Sequence, residues 1–218
     1  MRLYFHYCAS GFSNTYLLGT DISPDNEAID GPELQDQPAR EIIIIDPGML
    51  DPGLLGIIED NDYSLMGVLI THDHGHHVRG LRSILRIYNT DIYSINPVVA
   101  GYKTHLVRDG EFVSIGQFKT EIFSIPGHSA DSAVFRIDRL LFTGDAITAG
   151  LLGSTASSYS AATQRSAIQR KILSLPGDYT ILPGHGPPTS LEAERRFNQD
   201  LNSIEQPKNV RPTFRLGL

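Results

Sequence analysis

The sequence predicts an α/β protein in which β-sheets pack face to face and helices cover their outer sides. Two features support this prediction. Strands come in runs, with helices between the runs and near the end of the chain. Short continuous apolar runs, such as residues 41–46 (EIIIID), are typical of strands covered on both faces. The alternation of strands and helices also fits a single doubly wound sheet, and the pattern alone leaves this choice open.

The first half of the chain alternates apolar runs with turn-forming residues. Residues 51–61 predict a helix, because Asp51 suits its cap and Pro52 its first position. Residues 77–89 predict a second helix, because their apolar residues recur at helical spacing. Residues 21–40 are polar and rich in turn formers, and predict a surface excursion. Strands are predicted at residues 1–7, 14–20, 41–46, 64–70 and 91–95.

The second half of the chain predicts two hairpins followed by helices. Residues 111–129 form the first hairpin, which turns at Gly116, and residues 132–147 form the second, which turns at Asp138. No repeat or linker divides the sequence, so we expect one domain over residues 1–218. The remaining predicted elements are helices at 160–177 and 190–205, a strand and loop at 179–189, and an irregular tail at 207–218.

The composition narrows the class of protein. The formal net charge is −7, from 18 basic and 25 acidic residues, which argues against nucleic-acid or membrane binding and favours a small-molecule substrate. Cys8 is the single cysteine, so no disulfide within the chain is expected. No secretory signal or membrane span is evident, and we expect a cytoplasmic protein. The small basic group in the tail is interpreted as a solvated end: Lys208, Arg211 and Arg215.

A histidine cluster at residues 71–80 (THDHGHHVRG) is the strongest functional signal. It holds half of the eight histidines and directly follows an apolar strand. His72 and His74 are two positions apart, so in an extended segment both imidazoles reach the same side. His77 should start the next helix and is better placed for a second ion. Other loops after strands carry Asp46, His128, Asp145 and His185.

These residue types are the ligands that zinc, iron and manganese accept. Seven candidates are too many for one catalytic zinc, which needs about three protein ligands and an open position. They suit two ions that share a bridging carboxylate. The candidates are His72, His74, His76, His77, His128, Asp145 and His185.

The motifs THDHGHHVRG, PGHS, TGDA and PGHG, in this order, resemble those of the metallo-β-lactamase-fold hydrolases, and the end of the chain looks most like the compact glyoxalase II-like branch. The resemblance implies a four-layer αββα sandwich. It also implies that Gly80 allows close packing behind the site and that Asp46 braces its loops. The implied ligands are His72, His74 and His128 for the first ion, His77 and His185 for the second, and Asp145 as the bridge.

One position departs from the family pattern, because His76 stands where the family has an aspartate that ligates the second metal. An imidazole can replace the ligation but not the negative charge, so the second site should bind more weakly or prefer another metal. Asp73 is a nearby spare carboxylate, but strand alternation should point it away. His76 could instead act as a proton shuttle without touching metal.

The resemblance implies a hydrolase that uses metal-bound hydroxide on a small thioester, lactone or other ester, with His76 and Asp145 as catalytic residues. Two divalent ions are expected, with zinc first and iron or manganese as alternatives. Three other functions stay open: a phosphodiesterase or nuclease, a mononuclear iron oxygenase for thiols or persulfides at His72 and His74, and a catalytically weakened metal-binding relative. Strict glutathione specificity is not expected, because the chain lacks the extra helical domain of larger glyoxalase II enzymes.

Overall fold

The computed structural model describes residues 1–20 and 40–202. The predicted excursion at 21–40, apart from Arg40, and the tail at 207–218 lie outside the described residues. The first half of the chain contains β1 (Arg2–Cys8), β2 (Ser13–Gly19), β3 (Arg40–Ile45), α1 (Pro52–Glu59), β4 (Tyr63–Leu69), α2 (Gly75–Val78), α3 (Leu81–Ile87), β5 (Asp91–Ser94), β6 (Val98–Val99), β7 (Tyr102–Lys103) and β8 (His105–Leu106).

The second half supplies the other sheet and its helices. Its elements are β9 (Phe112–Ile115), β10 (Phe118–Ser124), β11 (Ala133–Ile137), β12 (Leu140–Gly144), β13 (Ile147–Thr148), β14 (Leu151–Leu152), α4 (Ser158–Lys171), β15 (Thr180–Pro183), β16 (Thr189–Ser190), α5 (Leu191–Phe197) and α6 (Gln199–Asn202).

Two six-stranded sheets form the centre of the molecule, with strand orders β1-β2-β3-β4-β5-β8 and β16-β15-β12-β11-β10-β9. The core between them includes Tyr16 from the first sheet and Phe142 from the second, with ring centroids 5.6 Å apart. A second core lies between the first sheet and α1 to α3, and a third packs α4 to α6 on the second sheet. The αββα sandwich is therefore confirmed, and the single doubly wound sheet is wrong.

Tertiary contacts divide two of the predicted helices. The helix expected at 77–89 is interrupted at Gly80, whose N–H donates to Pro47 O at 2.9 Å instead of continuing the helical pattern. The helix expected at 190–205 breaks at Asn198, whose Oδ1 accepts the N–H groups of Asp200 and Leu201 at 3.1 Å. Asparagine thus ends α5 and caps α6.

The short strands β6, β7, β8, β13, β14 and β16 were not predicted, because two residues carry no readable periodicity. The cap of α1 is confirmed, since Asp51 Oδ1 accepts Leu54 N–H at 3.0 Å. No helix within the described ranges is long and apolar enough to span a membrane.

Candidate metal centre

The candidate ligands meet because their strands end at the same edge of the sandwich. β3 and β4 run parallel in the first sheet, and β12 and β15 run parallel in the second. β10 has the same direction as β12, because both are antiparallel to β11. The loops after these strands carry Asp46, residues 71–77, Asp145, His185 and His128.

Asp145 is the central acid of the cluster. Its Oδ2 lies 3.5 Å from His128 Nε2, 3.6 Å from His77 Nε2 and 3.8 Å from His72 Nε2. Its Oδ1 accepts a hydrogen bond from His185 Nδ1 at 2.7 Å. Two groups have one ligand atom per residue, all within 4.8 Å of one another: His72, His74 and His128, and His72, His76, His77 and Asp145.

The structure thus brings all seven predicted ligands into one cluster. The first group has the composition expected for the first ion. The second group contains His76 and His77 as expected, whereas His185 is held there by its hydrogen bond to Asp145. Which residue binds which ion stays a prediction.

The side chains fit a pair of divalent cations. His72 Nε2 and both ring nitrogens of His77 are buried and have no hydrogen-bond partner among the described residues. Buried polar atoms without a partner are costly, and a cation would satisfy the two Nε2 atoms. His74 Nδ1 and His128 Nε2 are 3.1 Å apart. Two nitrogens at about 2.1 Å from one ion are separated by about 3.0–3.4 Å, so this spacing suits a shared metal.

Neighbouring groups fix the protonation pattern of two imidazoles. Thr71 Oγ1 donates to Asp46 Oδ2 at 2.6 Å, so it can accept from His72 Nδ1 at 3.0 Å. His128 Nδ1 donates to Ser154 O at 2.8 Å. In both rings the Nε2 lone pair is left facing Asp145, as is usual for histidines that ligate metals.

Charge and burial favour a cation among the imidazoles and Asp145. Burial lowers the pKa of His72 to about 3, so its imidazole is neutral. Burial alone would also lower the pKa of His77, but the carboxylates of Asp46 and Asp145 outweigh it and raise that pKa to about 9. Burial would raise the pKa of Asp145, yet the hydrogen bond from His185 and the positive charge favoured on His77, whose Nε2 lies 3.6 Å from Asp145 Oδ2, hold it well below its ordinary value. A positive charge, whether a proton or a metal ion, is therefore stabilised beside His77.

Glycines allow the loops to pack closely behind the ligands. A Cβ on Gly80 would lie 2.7 Å from Pro47 O, which confirms its predicted role. Gly144 has φ +48°, and a Cβ there would lie 2.3 Å from Thr71 Oγ1. Asp46, the predicted brace, has φ +52° and accepts Thr71 N–H at 2.8 Å. Backbone with such unfavourable dihedral angles persists where surrounding contacts hold a loop in place, as is common at functional sites.

His76 lies inside the cluster. Its ring centroid is 4.7 Å from that of His77 and 4.8 Å from that of His185. Burial lowers the pKa of His76 as well, so the ring is neutral and able to accept a proton or a metal. Its carbonyl accepts Ser13 Oγ at 2.7 Å, and Gly11 packs against it, so the β1–β2 turn holds this residue.

The structure shows the contacts of several residues that sequence reasoning missed or set aside. Ser13 and Ser154 support the cluster, and Ser154 does so through its carbonyl, which leaves no sequence signal. Asp73 points away as predicted, and its carboxylate accepts Ala100 N–H at 3.1 Å. Outside the cluster, His6 Nε2 lies 2.9 Å from Asp51 Oδ2, which is a structural contact.

Comparison with known proteins identifies the class to which this fold and cluster belong. The family model of the metallo-beta-lactamase superfamily matches residues 37–185, and the chain belongs to that superfamily. It is 30% identical over 207 residues to an uncharacterised protein of Mycobacterium tuberculosis, with 79% of this chain and 92% of that protein covered. It is 32% identical over 146 residues to a hydroxyacylglutathione hydrolase of Francisella tularensis, with 66% and 58% covered.

Solved structures agree on the fold. The crystal structure of BLEG-1 B3 metallo-beta-lactamase superposes with a TM-score of 0.76 at 21% sequence identity, covering 93% of this chain and all of that one. At this identity the likeness shows the fold alone.

Proposed function

We propose that this protein is a metal-dependent hydrolase of the glyoxalase II-like branch that cleaves a small thioester, lactone or other ester. The observation that carries the proposal is the convergence of six imidazoles and Asp145 around buried, unpartnered ring nitrogens. The Francisella relative, named for hydrolysis of hydroxyacylglutathione, supports a thioester. The net charge of −7 favours a small-molecule substrate over a nucleic acid.

Two divalent cations, with zinc as first choice, would be held by this chain. His72, His74 and His128 would hold one, and His76, His77 and His185 the other, with Asp145 between them. Bound cations of this kind lower the pKa of water towards about 7 and polarise a carbonyl oxygen.

The side chains themselves have three tasks. Thr71 and Ser154 keep the imidazoles of His72 and His128 in the tautomer that presents Nε2. Asp145 remains an anion because His185 donates a hydrogen bond to it and the positive charge favoured on His77 attracts it, and it can orient a water molecule by accepting a hydrogen bond. In the alternative in which His76 does not bind the second ion, its neutral and half-buried imidazole can take a proton from the site to solvent.

The test is metal quantification on protein purified without added metal, followed by turnover of thioesters, lactones and phosphodiesters. We expect up to two zinc ions per chain and hydrolysis of thioesters or lactones to a carboxylic acid. Activity that survives complete chelation would refute the proposal. One iron per chain with oxidation of a thiol would favour the oxygenase alternative, and turnover of phosphodiesters alone would favour a phosphodiesterase.

The position of His76 gives a sharper test. His76→Asp restores the carboxylate that the family places there, and we expect higher occupancy of the second site and faster hydrolysis. His105→Asp is the matched control, because His105 is exposed on β8 and lies outside the cluster. An unchanged metal count with unchanged or lower activity in His76→Asp would contradict the charge argument.

A further inference from the structure

Arg79 is an exposed cation two positions after His77 in the chain, and no described residue neutralises it. It caps α2, with its N–H donating to Gly75 O at 3.1 Å. Helical side chains lean towards the N-terminus of their helix, so the guanidinium reaches back over the preceding turn. A Cβ on Gly75 would lie 3.7 Å from Arg79 Nε and 3.9 Å from Arg79 Nη2. The guanidinium therefore lies beside Gly75, the residue that joins His74 to His76 in the chain.

Two acids close to the histidine cluster accept backbone N–H groups and form no ion pair with Arg79. Asp73 accepts Ala100 N–H, and Asp131 accepts Asp73 N–H at 2.9 Å. Among residues 1–20 and 40–202, the exposed guanidinium of Arg79 makes neither an ion pair nor a hydrogen bond. Other arginines of the described chain do pair, such as Arg136 with Glu121 and Arg196 with Glu192.

The position of Arg79 limits what it can contact. Gly75 is joined directly to His74 and His76, and consecutive Cα atoms are about 3.8 Å apart. A substrate whose reacting carbonyl lies among these imidazoles can thus place a second group against Arg79. Both His74 and His76 are partly exposed, so this side of the cluster is open to solvent.

We infer that Arg79 determines specificity by binding an anionic group, such as a carboxylate, on the substrate. This inference rests on the proposed hydrolase function and names its substrate class: an ester, thioester or lactone that carries a negative charge close to the scissile bond. The presence of an imidazole at His76, in place of a carboxylate, supports the same inference, because it removes a negative charge that would repel such a substrate.

The experiment uses the metal-loaded full chain and two pairs of thioesters that differ in one charge. The first pair is S-succinyl- and S-butyryl-N-acetylcysteamine, with the charge in the acyl part. The second pair is the S-acetyl derivatives of 3-mercaptopropionate and 3-mercaptopropanol, with the charge in the thiol part. Water cleaves each thioester to a carboxylic acid and a thiol, and no redox partner is needed.

We expect the wild type to prefer the charged member of at least one pair by about tenfold in kcat/KM, the size of a partly exposed charge-assisted contact. Arg79→Ala should remove the preference, mainly through KM, and Arg79→Lys should restore part of it. Arg82→Ala is the matched control, because Arg82 is also exposed but is the second residue of α3, and it should keep the preference.

Calorimetry with succinate and butyrate gives a readout that needs no turnover. Succinate should bind more weakly to Arg79→Ala than to Arg82→Ala, with butyrate binding equal in both. Equal turnover within both pairs, or an unchanged preference in Arg79→Ala, would overturn the inference while leaving the hydrolase intact. If no thioester, lactone or other ester is hydrolysed, the proposed function fails, and succinate binding that is equal in both variants overturns the role of Arg79 as well.

Discussion

Replacing Asp46 with asparagine tests whether a residue that contacts the predicted ligands, without being one of them, controls metal binding. The carboxylate is 2% exposed, and Thr71 donates to it twice, from its N–H at 2.8 Å and its hydroxyl at 2.6 Å. Asp46 Oδ2 also lies 3.2 Å from His77 Nδ1. Asparagine has the same shape and tolerates the φ of +52° found here, so the backbone need not change.

The expected magnitude follows from these contacts. The amide keeps one acceptor oxygen, but its NH2 group replaces the second oxygen. That NH2 group would then face a hydrogen-bond donor of Thr71 or His77. Loss of one buried hydrogen bond to a charged group costs about 1.5–3 kcal/mol of stability. Loss of an outer partner of a ligating histidine typically weakens metal binding by about 10- to 100-fold. We therefore expect a lower melting temperature and a zinc affinity reduced by about one to two orders of magnitude.

The assay is competition for zinc against a chromogenic chelator, with thermal unfolding of the chelated protein alongside. Asp73→Asn is the matched control, because Asp73 also lies next to the histidine cluster but its exposed carboxylate contacts Ala100 N–H. Its zinc affinity should stay within about twofold of wild type, as expected for an exposed neutral substitution. Equal zinc affinities in the two variants would refute a role for Asp46 in holding His72 and His77.

Two further predictions concern the fold rather than the metal. Phe142→Ala should cost about 3–5 kcal/mol in a urea unfolding experiment, because Phe142 is fully buried against Tyr16 between the two sheets; a cost below about 1 kcal/mol would contradict that packing. Burial, with the hydrogen bond between the Tyr63 and Tyr4 hydroxyls, raises the pKa of Tyr63 to about 12. The neutral phenol is thus favoured in the folded state, and its contribution is present below about pH 10 and lost as pH rises towards about 12. Tyr63→Phe should lose less stability than wild type over that range in alkaline unfolding.

The elements and ligands that sequence reasoning found have a signal that lies within a few neighbouring residues. The run EIIIID is typical of a covered strand, and β3 is buried from Ile42 to Ile45. Four histidines after an apolar strand have no packing explanation, and the structure gathers them with His128, Asp145 and His185.

The features that sequence reasoning missed depend on contacts between distant parts of the chain. The break at Gly80 comes from Pro47 O, which is 33 positions earlier. The tautomer of His128 depends on the carbonyl of Ser154, and a carbonyl is present in every residue. The choice between one sheet and two required knowledge of which strands pair, which apolar runs do not specify.

The charge balance of the cluster links Asp46 to His76 and yields a final prediction. Asp145 is the central carboxylate of the cluster, and Asp46 adds a second negative charge 3.2 Å from His77 Nδ1. If Asp46 compensates for the carboxylate missing at position 76, His76→Asp should reduce the harm done by Asp46→Asn. Zinc affinities of the wild type, both single variants and the double variant form a cycle that measures this coupling.

We expect the loss of zinc affinity on Asp46→Asn to be several-fold smaller in the His76→Asp background. Residues that share partners typically couple by about 0.5–3 kcal/mol, whereas independent ones add to within about 0.5 kcal/mol. Additive effects would therefore show that Asp46 acts only by holding the geometry of Thr71 and His77. A coupled result would mean that Asp46 supplies the negative charge that the family has at position 76. Asp46 would then stabilise the cations through the ligand His77 and not by binding them itself.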